Sequence, residues 1–207
     1  MSIQPNIKAI IFDLGGVLIQ VYQEERFHDL EGRWGLPPGQ LPEILWRSPD
    51  HRLAEVGTIT DAEYWRRIAP RLGLHTPEAV RAFQQDVFGP VEVTASMVDL
   101  IRRLHGPYRT GLLSNASDAV TPAFIAERYG LGGLFDVQIV SALVGLAKPD
   151  PAIYRLALER LGAAPEATIF VDDYPPNVAA AAALGIQAVH FTGYEALIAE
   201  LEQWGVV

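Results

Sequence analysis

Three carboxylates, a lysine and a serine stand where short apolar runs give way to polar residues. Asp13 falls near the end of Ile7–Leu14, IKAIIFDL, and Gly15-Gly16 follow at once. Ser114-Asn115 comes directly after the run that begins at Tyr108. Lys148 lies in the loop beyond Val137–Val140, ahead of Pro149, and Asp172-Asp173 closes Thr168–Val171. Any one of these is unremarkable, since an aspartate ending a strand is commonly a turn or a helix cap and a lysine before proline is commonly a solvated loop. Together they are not. Carboxylates gathered at one place repel one another unless a cation sits among them. A set of acids, one fixed positive charge and a hydroxyl suits attack on a phosphoryl group, where positioning and charge neutralisation do most of the work.

The elements that must hold these residues follow from the same runs. Ile7–Leu14 is, but for Lys8, apolar up to its acidic residue, the pattern of a strand buried on both faces of a parallel sheet. Tyr108–Leu113, Val137–Val140 and Thr168–Val171 read alike, and Gln187–Phe191 is a fifth candidate. Gly15-Gly16 marks a tight turn where backbone passes close to another group. Helical periodicity fills the intervals at Ser96–Leu104, Ala119–Tyr129, Ala152–Leu161, Asn177–Leu184 and Tyr194–Trp204. Pro151 suits a helix first turn, and Gly162 and Gly185 sit where helices stop. Strands alternating with helices predict a doubly wound, Rossmann-like α/β core. Ligands then bind beyond the carboxyl ends of the strands, where the polar residues above collect.

Residues 19–91 break the alternation. This stretch carries three of the four Trp, and no strand is evident in it. Thr60 with Glu63 three residues on, and Thr76 before Pro77, mark helix starts. It reads as a helical domain of about four helices, inserted into a core made of residues 1–18 and 92–207. Trp34, Trp46 and Trp65 are read as that domain's own hydrophobic core, and Arg47 and Arg66 as solvated helix faces. The five His show no metal-ligand spacing.

Composition sets the outer bounds. The chain has 207 residues, 49% hydrophobic and 20% charged, with a net charge of −9. It has no Cys, which excludes thiolate catalysis, iron–sulfur clusters and Cys-ligated zinc. The acidic balance argues against a generic nucleic-acid binder, which must neutralise phosphates with Lys and Arg. No apolar stretch approaches the ~20 residues of a membrane span, and no signal peptide is evident, so a cytoplasmic monomer or homodimer without membrane partners is expected.

The quoted segments resemble the haloacid dehalogenase-like (HAD) superfamily. FDLGGVL is similar to its first motif, LLSNAS to the second, AKPDPAIY to the third and IFVDDYPPNVAAAAALG to the fourth. The likeness covers residues 1–18 and about 92–207, and the segment 19–91 falls where the family inserts a helical cap. It implies a hydrolase in which Asp13 attacks phosphorus to form an aspartyl-phosphate. Mg²⁺ would be held by Asp13, Asp173 and the backbone carbonyl of Gly15. Asp172 would hold Lys148 or a metal-bound water, and ranks behind Asp173 as a ligand. Lys148 would screen Asp13 from the incoming phosphate. Ser114 and backbone N–H groups, with Gly16 in the first loop, would bind phosphate oxygens, and Asn115 would orient substrate or loop. The implied substrate is a small phosphorylated metabolite.

One position departs from the family. Its phosphatases usually carry a second Asp two residues after the nucleophile, as general acid and base, and here that position is Gly15. General acid catalysis is typically worth 10²–10⁴-fold, so slow turnover, a substrate with a good leaving group, or a substitute donor is expected. Glu55, His28 and His51 are the candidate substitutes. Two other readings stand beside the phosphatase. The superfamily's 2-haloacid dehalogenases also lack the second Asp and need no metal, although Asp172-Asp173 beside Asp13 is costly without a cation. The third reading is a weakly active phosphate-binding regulatory protein.

Overall fold

The computed structural model describes residues 6–207. Residues 1–5, which the sequence reading assigns to the core, lie outside the described residues. The strands run β1 Ala9–Phe12, β2 Ile19–Gln20, β3 Glu92–Val93, β4 Arg109–Ser114, β5 Val137–Val140, β6 Thr168–Asp172 and β7 Gln187–His190. The helices run α1 Glu24–Trp34, α2 Gln40–Leu45, α3 Pro49–Glu55, α4 Asp61–Ile68, α5 Pro77–Phe88, α6 Ala95–Leu104, α7 Pro122–Tyr129, α8 Ser141–Val144, α9 Pro151–Leu161, α10 Pro175–Ala182 and α11 Tyr194–Gln203.

Five strands form one parallel sheet in the order β5-β4-β1-β6-β7. β1 is central because its sequence suits two buried faces: Ala9, Ile10, Ile11 and Phe12 are each at most 1% exposed. Side chains alternate along a strand. Ile10 and Phe12 therefore pack with Met97, Leu100 and Ile101 of α6 and Leu201 of α11. Ala9 and Ile11 pack on the other face with Ile153, Tyr154 and Leu158 of α9. This is the doubly wound α/β core that the apolar runs predict. The strand order reverses at β1, so the crevice for a ligand opens beyond the carboxyl ends of β1, β4 and β6.

Between β1 and α6 the chain leaves and returns as a two-residue antiparallel ribbon, with Ile19 opposite Val93 and Gln20 opposite Glu92. The ribbon is absent from the sequence reading because two residues cannot show an alternation. The helices between its strands enclose a separate hydrophobic cluster that includes Phe27, Leu41, Ile44, Tyr64, Trp65 and Phe83. Trp65 is buried in it, while Trp34 and Trp46 pack partly buried against it. Five α-helices form here where about four were expected, because α2 and α3 are only 6 and 7 residues long. Thr60 caps α4 by accepting the Glu63 N–H at 3.2 Å. The reciprocal half of the expected capping box is missing, because the Glu63 carboxylate bonds Arg66 and Arg67 instead. In the core, α7 starts at Pro122 rather than Ala119, since Thr121 supplies the cap and proline fills the first turn. Among the described residues no helix is long and apolar enough to cross a membrane.

Candidate active site

The carboxyl end of β1 delivers Asp13, that of β6 delivers Asp172, and the loop before α9 delivers Lys148 between them. The Lys148 ammonium lies 2.7 Å from Asp13 Oδ1 and 2.6 Å from Asp172 Oδ2. The lysine side chain is 1% exposed and that of Asp172 0%, so this is a desolvated ion triad. Such a triad persists only where most remaining lone pairs are satisfied. Those of Asp172 are. Asp172 Oδ1 accepts the Tyr174 N–H at 2.8 Å, and Asn177 donates to both Asp172 oxygens at 3.1 Å. Asp13 Oδ1 accepts the Leu14 N–H at 2.7 Å. The Lys148 ammonium also lies 5.6 Å from the centre of the Phe170 ring.

The electrostatics follow from this burial. Burial alone would pull the Lys148 ammonium down, but Asp13 and Asp172 together hold it above the ordinary lysine value. Burial pushes the Asp13 carboxyl up and Asp172 adds to the push, with Lys148 acting against both. Asp173 is also raised, by burial first and then by Asp172. Asp13 and Asp173, both under this pressure, are a pair that a further cation would relieve.

The geometry fits such a cation. Asp13, Asp172 and Asp173 each present an oxygen, and these lie within 4.8 Å of one another. Oxygen donors of this kind suit Mg²⁺. Both Asp172 oxygens already have partners, the Lys148 ammonium among them. Asp13 and Asp173 keep the freer oxygens. Gly16 explains itself here: its φ is +74° and a Cβ would lie 2.0 Å from Asp173 Oδ2, which only glycine permits. Gly15 is different. A Cβ there would meet nothing within 4 Å.

Ser114 ends β4 and is buried, 4% exposed, facing the same crevice. The Asn115 amide clasps the lysine loop: its Oδ1 accepts the Lys148 N–H and its Nδ2 donates to the Lys148 carbonyl, both at 2.8 Å. Ser141 ties the neighbouring turn, accepting the Ala116 N–H at 3.0 Å and donating to its carbonyl. Gly15, Ser114 and Asn115 form the core end of a cavity of about 540 Å³ between the sheet and the helical insert. Its far walls carry Leu45, Trp46, Trp65, Phe88 and Val120.

The family model for haloacid dehalogenase-like hydrolases matches residues 7–185. The chain belongs to that family. This HAD-like hydrolase is 30% identical over 202 residues to a sesquiterpene phosphatase of Aspergillus oryzae, covering 96% of each chain. It is similar to a predicted HAD-like hydrolase of Porphyromonas gingivalis, with TM-score 0.75, 29% identity, and 96% and 98% of the two chains covered. A HAD-family enzyme of Bacteroides thetaiotaomicron, in complex with magnesium and inorganic phosphate, matches with TM-score 0.71 and 25% identity over 88% and 93% of the chains.

Within the HAD-like hydrolase, Asp13, Gly15, Gly16, Ser114, Asn115, Lys148, Asp172 and Asp173 all come to one crevice. Of the three candidate proton donors, Glu55 and His51 line the cavity. His28 does not, being exposed on α1. Arg47 and Arg66 are surface residues paired with Glu43 and Glu63. Sequence reasoning missed Asn177 and Tyr154, whose hydroxyl donates to the Asn177 carbonyl at 3.0 Å. A signal existed for the first: Asn177 stands in the first turn of the helix that follows Asp172-Asp173, so it faces back toward the strand end.

Proposed function

We propose that the chain hydrolyses small phosphate monoesters with Mg²⁺, through an aspartyl-phosphate on Asp13. The observation that carries the reading is the buried Asp13–Lys148–Asp172 triad, with Asp173 beside it. It holds one carboxylate facing the crevice, one charge to screen it and a further carboxylate for a hard cation. The phosphatase relatives and the neighbour in complex with magnesium and inorganic phosphate support the same chemistry.

In this account Asp13 attacks phosphorus with the oxygen not held by Leu14, while Lys148 offsets the repulsion between two anions. Ser114 donates to a phosphate oxygen, Asn115 keeps Lys148 in place, and Asp172 fixes the ammonium from below. Gly16 lets the first loop approach Asp173, but its own N–H is held by the Ile19 carbonyl, so the loop N–H that meets the phosphate is that of Gly15 and not of Gly16. Asp13, Asp173 and the Gly15 carbonyl would hold Mg²⁺, which when bound supplies positive charge for the phosphoryl oxygens. Residues 19–91 serve as a cap over a core of 1–18 and 92–207. The carbon part of the substrate rests on the apolar walls at Leu45, Trp46, Trp65 and Phe88, which suit an aliphatic or aromatic group better than a polyol.

A panel of alkyl, aryl, sugar and acyl phosphates, run with Mg²⁺ and again with EDTA, tests the reading. Phosphate release that EDTA abolishes is expected. Halide release from 2-haloacids unaffected by EDTA, or no hydrolysis of any ester, would overturn it in favour of the dehalogenase or the regulatory protein.

A further inference from the structure

The Gly15 position leaves the first loop without an acid, and Lys148 is engaged by two carboxylates. We propose that Glu55, presented from the helical insert, protonates the leaving oxygen and later takes a proton from the attacking water. The inference rests on the phosphatase reading above and gives that site a second catalytic residue.

Placement is the first argument. Glu55 is the last residue of α3, its side chain is 15% exposed, and it lines the same cavity as Gly15 and Ser114. Among the described residues no Arg or Lys forms an ion pair with it; only His51 Nδ1 approaches, at 3.7 Å. The carboxyl therefore lines the cavity without an ion pair to an Arg or Lys among the described residues.

The second argument is how the turn after Glu55 is anchored. Gly57 has φ +67°, and a Cβ there would lie 2.3 Å from the Ala142 carbonyl oxygen. Ala142 in turn donates its N–H to the Ala116 carbonyl, in the loop directly after Ser114-Asn115. Four residues beyond Gly57, the Asp61 carboxylate accepts the Ser117 hydroxyl at 2.7 Å, and the Asp61 N–H donates to Asp118 at 2.7 Å. The turn carrying Glu55 is thus seated on the loop that carries Ser114, at both ends. A glycine with no room for a side chain, where its loop meets the Ala142 carbonyl, is what close registry of two half-sites requires.

Charge state agrees with the placement. The groups around the Glu55 carboxyl are Arg52 and His51 on its own helix, Tyr64 on α4 and Lys148 of the core. Burial pushes the carboxyl above the ordinary glutamate value despite the pull of Arg52 and Lys148. A raised carboxyl is the form a donor needs near neutral pH. The alternatives are worse placed. His51 is kept neutral by burial, its value lowered to about 4. Asp61 is occupied by Ser117.

The chemistry balances. The Asp13 oxygen forms a bond to phosphorus, the ester P–O bond breaks, and the Glu55 proton goes to the departing oxygen to give the alcohol. Water then attacks phosphorus, the Asp13–phosphorus bond breaks, and Glu55 takes the water proton as phosphate leaves.

The test is Glu55→Gln on two ester classes with Mg²⁺ present. An alkyl phosphate has a poor leaving group and needs the proton; a nitrophenyl phosphate does not. The variant is expected to lose 10²–10⁴-fold in kcat/KM on the alkyl ester and little on the nitrophenyl ester. In the wild-type enzyme, alkyl-ester hydrolysis should lose activity at high pH along a limb that the nitrophenyl ester lacks. Equal losses on both esters together with identical wild-type pH profiles would overturn the role of Glu55. So would no loss on either. Failure of the wild-type chain to hydrolyse either ester would instead strike the phosphatase reading itself.

Discussion

The two sides of the cavity are built in opposite ways. On the core side, every polar atom of the Asp172 carboxylate has a partner, the lysine is desolvated, and the residues hang from strand ends at the centre of a sheet. On the insert side, a helical unit with its own hydrophobic cluster meets the core through a few points: Gly57 on Ala142, Asp61 on Ser117 and Asp118, and Arg128 on the Gly89 carbonyl. A two-residue ribbon is its covalent root. The difference teaches a division of labour. The core groups are over-determined by several partners each, whereas Glu55, Trp46 and Trp65 line the cavity from a unit attached to the core at few points.

The sharpest way to break the comparison is at the core side. Lys148→Met leaves Asp13 and Asp172 buried with no cation between them. Removing one partner of a buried ion pair typically costs about 3–5 kcal/mol. Thermal unfolding should show that loss, with part of it recovered by added Mg²⁺, because an ion that binds only the folded chain stabilises it. A melting curve indifferent to both would mean that the triad is not the keystone of this side.

On the insert side the largest effect is a pH dependence. His51 titrates near 4 when folded, against 6.5 ordinarily, because burial disfavours its charged form. The unfolded chain thus binds a proton between those values that the folded chain refuses. Stability contributed by neutral His51 is present above pH 6.5 and lost as pH falls toward 4, by up to about 3 kcal/mol. His51→Gln should flatten that part of the stability profile; an unchanged slope would contradict the buried placement.

Gly57→Ala comes next. Its Cβ collides with the Ala142 carbonyl at 2.3 Å, and the site needs φ +67°. A cost of about 1–3 kcal/mol is expected, with the insert lifted and kcat/KM reduced more for alkyl than for nitrophenyl esters. Ser117→Ala, which removes only the hydroxyl donated to Asp61, should cost about 1 kcal/mol and change KM more than kcat. If Ser117→Ala outweighs Gly57→Ala in steady-state kinetics, the docking is carried by the hydrogen bond and not by the close backbone contact.

How much of this could be read from residues alone differs between the same two sides. The core was legible because β1 is apolar on both faces and because each strand end exposes one polar residue type to one edge. Asp13, Ser114, Lys148 and Asp173 follow from that placement. Asp172 was legible only as one of two parts, since the choice depends on where Asn177 and Tyr174 return to meet it. Tyr154 carried no signal, as an apolar-looking position inside a helix. The insert was legible as helices, as an aromatic core and as a source of candidate donors, but not in which of its side chains line the cavity. Glu55, His28 and His51 are equivalent acids and bases on paper; only the fold shows that Glu55 and His51 line the cavity while His28 is exposed on α1. The open space at Gly15 adds a point that no sequence pattern contains: a Cβ would meet nothing there, so glycine is not imposed by crowding at that atom.

The most direct test of the central claim is mass spectrometry on enzyme quenched in acid during turnover with Mg²⁺ and an aryl phosphate. The peptide containing Asp13 should gain the mass of one phosphoryl group, and Asp13→Asn should show neither the adduct nor hydrolysis. Steady hydrolysis by Asp13→Asn, or a wild-type phosphoryl adduct on any residue other than Asp13, would contradict the account.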